Sequence, residues 1–184
     1  MIARRSLRGM ALWLGLALAT VPGAPTAAEE TVMLDPERRA ALADLPALRG
    51  TAVDTADLDG KVVVLAFFAS WCPPCDPEFD YLNQIDQAYR DRGVTIVTVN
   101  IFENYFNDNN PARLQSFLDR KAPHFAVLGD GERIGPLFND VQRIPTLFVF
   151  GRDGGNVMQF VHEQGATKTH ASYDEIEGAV RAAL

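Results

Sequence analysis

The chain has two cysteines among its 184 residues, Cys72 and Cys75, set in the stretch FFASWCPPCDPE at 67–78. A pair at this spacing supports three kinds of chemistry: a reversible dithiol/disulfide couple, half of a metal site, or a structural crosslink. Closing so short a loop removes little entropy from the unfolded chain, so a crosslink here is a poor staple. Zinc usually takes four ligands, and the remaining two would have to come from His124, His162 and His170, none at zinc-finger spacing. Asp76 follows Cys75 where a c-type haem attachment sequence carries histidine, which removes haem ligation by that route. The redox couple stands first, with no metal expected.

The elements that must hold such a pair are written around it. Residues 61–69, KVVVLAFFA, form an apolar, β-prone run, the pattern of a strand buried on both faces that ends where the cysteines begin. Phe79, Leu82, Ile85 and Tyr89 then recur at helical spacing, predicting an amphipathic helix that ends near Arg92 and Gly93. VTIVTVN at 94–100 predicts a second strand, and strand, helix, strand makes the two strands parallel. Cys72 is expected at the start of that helix, where unpaired N–H groups and the helix dipole favour thiolate, making it the exposed nucleophile. Cys75, almost a turn further in, is expected to be sheltered and to resolve a mixed disulfide formed at Cys72. Pro73 and Pro74 stiffen the intervening loop and need not break the helix.

Elsewhere, short helices are expected at 36–43 and 134–139, and a longer one from Asn110 and Pro111 to about Arg120 with Leu114, Phe117 and Leu118 inward. A short strand is expected at 125–128, and TLFVFG, RDGG and 157–163 read as an antiparallel hairpin. Ser172 and Glu175 form a capping box for a C-terminal helix with Ile176, Ala179, Val180 and Ala183 on one face. The fold class is α/β: a mixed central sheet, βαβ then ββα, with helices on both faces.

An apolar content of 47% with 11 Pro and 14 Gly suits one compact domain with a substantial core. Residues 1–28 carry Arg4, Arg5 and Arg8, an apolar run at 9–21 and a small-residue site at 26–28, the pattern of a secretory signal peptide cut after Ala28. That run is too short to cross a hydrocarbon core, which takes roughly 20 residues. The expected location is the periplasm, where disulfides persist. Loss of residues 1–28 would leave 14 basic against 24 acidic residues, a formal charge of −10, which argues against nucleic acid as a partner.

The sequence Trp71-Cys72-Pro73-Pro74-Cys75 after a buried strand, with Ile144-Pro145-Thr146 ahead of the hairpin, resembles the thioredoxin superfamily. Within it the chain is similar to the exported TlpA/ResA-type thiol-disulfide reductases, a group that includes cytochrome c maturation thioredoxins. The similarity covers roughly 45–184, the expected thioredoxin-like domain, which follows the signal peptide read at 1–28 and an extension at 29–44. It implies that Pro145 is a cis-proline beside the disulfide, that the Ile144 backbone pairs with a client chain as an added strand, and that Trp71 shields the sulfurs and forms part of the docking face. It also implies that Glu78, three residues after Cys75, lies beneath the site and exchanges protons with the thiols. Ala66 stands where thioredoxin has a buried aspartate, which leaves Glu78 as its nearby replacement in sequence. Asp80 stands where the family often has proline, and Pro77 is expected to remove a helix hydrogen bond nearby. Phe102, Tyr105 and Phe106 follow a strand whose C-terminal end faces the same edge as the cysteines, which makes them candidate partner contacts.

The function so implied is an exported protein disulfide reductase without a cofactor. Cys72 attacks a disulfide in a client protein such as an apocytochrome c or a copper-site protein, Cys75 resolves it, and a membrane-bound thiol reductant restores the dithiol. Two alternatives stay open. A thiol peroxidase of the same fold usually has a single nucleophile in a threonine-containing loop. A copper-delivery module would add His162 or His170 to the cysteines.

Overall fold

Residues 31–107 and 110–184 are described in the computed structural model, so the expected signal peptide and its cleavage site lie outside the described residues. Helix α1, Pro36–Ala43, starts as expected, with proline in its first turn and the Asp35 carboxylate accepting the Arg38 N–H at 2.9 Å. Strand β1 is Ala47–Arg49 and α2 is Thr55–Leu58, closed by a capping box between Asp54 and Asp57. Strand β2, Val62–Phe68, is buried along its whole length. Helix α3, Cys75–Tyr89, and strand β3, Val94–Asn100, complete the βαβ unit. Helix α4, Pro111–Lys121, leads into β4, Ala126–Leu128. The hairpin is β5, Thr146–Phe150, with β6, Asn156–Val161, and the chain closes with α5, Tyr173–Ala183.

The six strands lie in the order β1-β4-β3-β2-β5-β6. β2 pairs parallel with β3, Leu65 opposite Val97, and antiparallel with β5, Leu65 opposite Phe148. A strand paired on both edges and covered on both faces has no solvated side, which is why its sequence is uninterruptedly apolar. Successive residues of a strand point to opposite faces. Phe67 accordingly packs on Phe138 at 5.6 Å between ring centres, while Phe68 packs on Phe79 of α3 at 4.6 Å and on Phe117 of α4 at 5.6 Å. Val32, Leu34 and Leu42 belong to the same hydrophobic core as the sheet.

Two elements, β1 and α2, carry no strong signal in the sequence. The helix expected at 134–139 is replaced by two 3-10 turns, Gly131–Arg133 and Gly135–Leu137. A Cβ at Gly131 would stand 2.6 Å from the Asn100 carbonyl oxygen, so the backbone here runs directly against β3. Pro136 and the left-handed Asn139 and Asp140, at φ of 59° and 49°, prevent the turns from propagating.

Candidate active site

β2 delivers the chain to the site: after Phe68 it turns at Ser70 and Trp71, with the Cys72 N–H donating to the Ala69 carbonyl at 3.2 Å. Cys72 and Cys75 are joined as a disulfide, S–S 2.07 Å, so this is the oxidised form of the protein. Helix α3 begins at Cys75 rather than at Cys72. Pro73 and Pro74 bring no N–H, and the entry is a tight turn in which Cys75 N donates to Cys72 O at 3.2 Å and Asp76 N to Pro73 O at 3.3 Å. Pro77 falls within the first helical turn, where N–H groups have no intrahelical acceptor, so the expected loss of a helix bond does not occur.

The expectation of an exposed Cys72 is also corrected: it is 3% exposed, and Cys75 is 0% exposed. Cys72 lines the side of a groove of about 430 Å³, which Trp71, Pro73 and Pro74 also line. Trp71, Pro73, Pro74, Phe102 and Tyr105 form its apolar part, while Gln142, Arg143, Ile144, His162 and Gln164 complete it. The two cysteines therefore differ as groove-lining against enclosed.

The first turn of α3 carries Asp76, and Asp80 follows one turn on. Lys121 of α4, its side chain 6% exposed, places Nζ 2.6 Å from Asp76 and 2.9 Å from Asp80, and Arg120 reaches Asp76 at 2.7 Å. Burial alone would raise the Asp76 pKa, but hydrogen bonds from Lys121 and Arg120 outweigh it and hold the carboxyl below its ordinary value. Acidic charge next to the cysteines is thus matched by cations from α4.

Glu78 is 2% exposed and, three residues after Cys75 on α3, shares its side of the helix. Burial pushes its pKa up to about 8, against the opposing pull of the Ala171 N–H, which it accepts at 3.4 Å. At neutral pH this carboxyl holds a proton while the cysteines are oxidised. Ala66, in the middle of β2, is 1% exposed and offers no alternative acid.

The peptide bond between Ile144 and Pro145 is cis, and Ile144 lines the groove beside Cys72. The His162 backbone N–H donates to the Pro145 carbonyl at 3.1 Å, and the ring Nδ1 lies 3.2 Å from the Ile144 carbonyl oxygen. That second contact is a hydrogen bond when Nδ1 carries the proton. His162 shares the Cys72 groove, whereas His124 lines a separate cleft at the other end of the sheet and His170 lies against the Tyr81 ring. Among the described residues, no group of three or more His, Cys, Asp and Glu could hold a metal ion.

A polar network behind the site had no motif to announce it. The Glu103 carboxylate accepts the Ser70 N–H at 2.9 Å, the Ser70 hydroxyl, and the Asn100 side-chain amide at 2.8 Å, and pairs with Arg113 of α4 at 3.3 Å. It ties the turn before Trp71 to the end of β3 and to α4. The only signal available in the sequence was position: Glu103 follows directly on the C-terminal end of β3, where open α/β sheets gather functional groups. The Trp71 indole N–H donates to the Phe102 carbonyl at 2.7 Å, the Phe102 N–H donates to Glu132 at 2.8 Å, and Phe102 has φ of 58°.

A family model described as Redoxin matches residues 24–176. The chain belongs to the Redoxin family. This Redoxin chain is 31% identical over 118 residues to "Thiol-disulfide oxidoreductase ResA" of Bacillus thuringiensis, and 32% identical over 105 residues to the protein of that name in Bacillus subtilis. The first of these alignments covers 64% of each chain and the second 57% of this chain and 55% of the relative, so the chain spans under two thirds of the length of these relatives. Two solved structures share the thioredoxin-like fold. A putative thiol:disulfide interchange protein DsbE from Chlorobium tepidum is 31% identical with a TM-score of 0.59, covering 76% of this chain and 90% of that one. A secreted Mycobacterium tuberculosis disulfide oxidoreductase is 28% identical with a TM-score of 0.63, covering 80% and 99%.

Proposed function

We propose that this Redoxin-family chain is an exported thiol-disulfide oxidoreductase that reduces disulfides in client proteins. The observation that carries this reading is the Cys72–Cys75 disulfide at the end of the central strand, its first sulfur lining a groove and its second enclosed. Export is supported by the signal-like N-terminus, and a secreted relative of known structure is compatible with it.

In the reduced protein the Cys72 thiolate attacks one sulfur of the client disulfide, and the other client sulfur leaves as a thiolate that takes a proton from water. Cys75 then gives its proton to the ionised fraction of Glu78, a minority at neutral pH given a pKa of about 8, and attacks the Cys72 sulfur, releasing the second client thiolate. The client gains two electrons and the protein ends as the disulfide with Glu78 protonated. That end state matches the oxidised form described above, in which burial keeps Glu78 neutral. A membrane-bound dithiol reductant reverses the sequence: its first thiolate attacks Cys72, and Cys75 leaves and takes the proton from Glu78. Its second thiolate then attacks the reductant sulfur bound to Cys72, which releases the Cys72 thiolate and leaves the reductant as a disulfide. The client strand lies along Ile144 and Pro145, with Trp71 over the sulfurs. Apocytochromes and copper-site proteins are the client classes to examine first.

Insulin reduction tests the assignment. Cys72→Ala abolishes it, while Cys75→Ser retains the first attack and accumulates a mixed disulfide with the client; a wild-type rate in Cys72→Ala overturns the reading. Direction is read from equilibration with glutathione: a potential near or below about −230 mV fits a reductant, one near −120 mV an oxidant.

A further inference from the structure

One apolar surface next to the disulfide is left over by the chemistry. Tyr105 and Phe106 are 68% and 59% exposed. Tyr105 stacks on Trp71 with 5.4 Å between ring centres, Phe106 meets Trp71 edge-on at 5.0 Å, and the two meet each other edge-on at 5.2 Å. Single exposed apolar residues are ordinary on a protein surface. Three mutually packed rings beside a reactive sulfur are a different matter, because their place is fixed by three separate devices.

The first is the Trp71 indole bond to the Phe102 carbonyl, which anchors the loop and leaves the indole without a free donor. The second is the left-handed conformation of Phe102, costly for a bulky residue and held by the bond of its N–H to Glu132. The third is the Glu103 network, which fastens the loop to Ser70, immediately before Trp71. The loop is therefore set in place before any client arrives, so docking on it costs little ordering. Tyr105 and Trp71 also line the groove that contains Cys72, so the rings continue the reactive site.

We propose that these rings form a clasp that selects the client: an extended, disulfide-bearing segment with an aromatic residue two places from its reacting cysteine. This rests on the oxidoreductase reading, which brings a client sulfur to Cys72. Residues two apart in an extended chain share a face and lie about 7 Å apart. With the client cysteine on Cys72, a side chain two places along reaches ground beside the residue next in sequence, Trp71, and its two partner rings. The other part of the groove, with Gln142, Arg143, His162 and Gln164, offers polar groups instead, which gives the segment a preferred orientation.

The test uses the full chain, reduced beforehand, and two synthetic peptides that differ only in carrying Phe or Ser two positions to either side of a single cysteine. Each cysteine is held as a mixed disulfide with glutathione. The Cys72 thiolate attacks the peptide sulfur and glutathione leaves; Cys75 then releases the peptide thiol, so two electrons pass from the dithiol to the mixed disulfide. The Phe peptide is expected to react roughly five- to tenfold faster in the second-order regime, the size of effect that aromatic pairing supplies. That ratio falls towards one in Tyr105→Ser/Phe106→Ser. Equal rates for the two peptides with the wild-type protein, or an unchanged ratio in the double variant, overturn the inference and leave the oxidoreductase reading intact. If neither peptide nor glutathione disulfide oxidises the reduced chain, the oxidoreductase reading fails and the clasp with it.

Discussion

The Glu78 carboxylate accepts the backbone N–H of Ala171 at 3.4 Å, joining the helix that starts at Cys75 to the segment that opens α5. One long hydrogen bond does little for a charge removed from water, so burial prevails and the acid stays protonated. The proton store of the proposed cycle is thus made by a helix and the segment leading into another, far apart in sequence.

A pH dependence of stability follows. The folded pKa of about 8 lies above the ordinary 4.5, so between these values the folded protein binds a proton that the unfolded chain has lost. This contribution is fully present below the unfolded value and disappears as pH rises through the folded one. Urea unfolding of the oxidised protein should show stability falling across that window. Glu78→Gln removes the slope, so the variant gains on the wild type by a few kcal/mol near about pH 9 relative to their difference in acid.

Lys121 gives the opposite sign. Asp76 has a lowered pKa, so its contribution is present above the ordinary carboxylate range and is lost as pH falls through the folded value. Lys121→Met should destabilise by about 1–2 kcal/mol at neutral pH, a figure kept small because the two aspartates are partly solvated. Thermal unfolding should show the gap from wild type narrowing in acid.

Glu103→Ala leaves the Ser70 and Asn100 donors without their shared acceptor and is expected to cost about 1–3 kcal/mol. Trp71 is the one tryptophan beyond residue 28, so its emission reports the same change locally. A variant with unchanged emission and an unchanged urea midpoint would show that the network does not hold the turn.

Ala122 ends α4 in the left-handed region at φ of 42°, where a Cβ is costly and glycine is the usual occupant. Ala122→Gly should raise the urea midpoint by the equivalent of about 0.5–1 kcal/mol, with no change in disulfide chemistry.

What was legible in the sequence had a period or a fixed spacing. β2, α3 and the β5/β6 hairpin each carry a run long enough to declare its type, and Asn110 and Ser172 each sit at the cap they predict. β1 has three residues and draws its strand character from pairing with β4, a partner about 80 residues away, so nothing local could announce it. The burial of Cys72 is not legible in the sequence, because exposure depends on how Trp71, Pro73 and Ile144 come together around one groove, which spacing alone does not fix. Glu103 is hidden for a similar reason: its donors come from the turn after β2, from β3 and from α4, and a convergent set leaves no contiguous motif.

β2 is hydrogen-bonded along both edges and shielded on both faces. Its amides should be among the last to exchange with solvent, at the free energy of global unfolding. The WCPPC turn therefore hangs from the stiffest part of the molecule, and opening or closing its sulfur bond can shift side chains and protons while the sheet beneath acts as a fixed frame of reference.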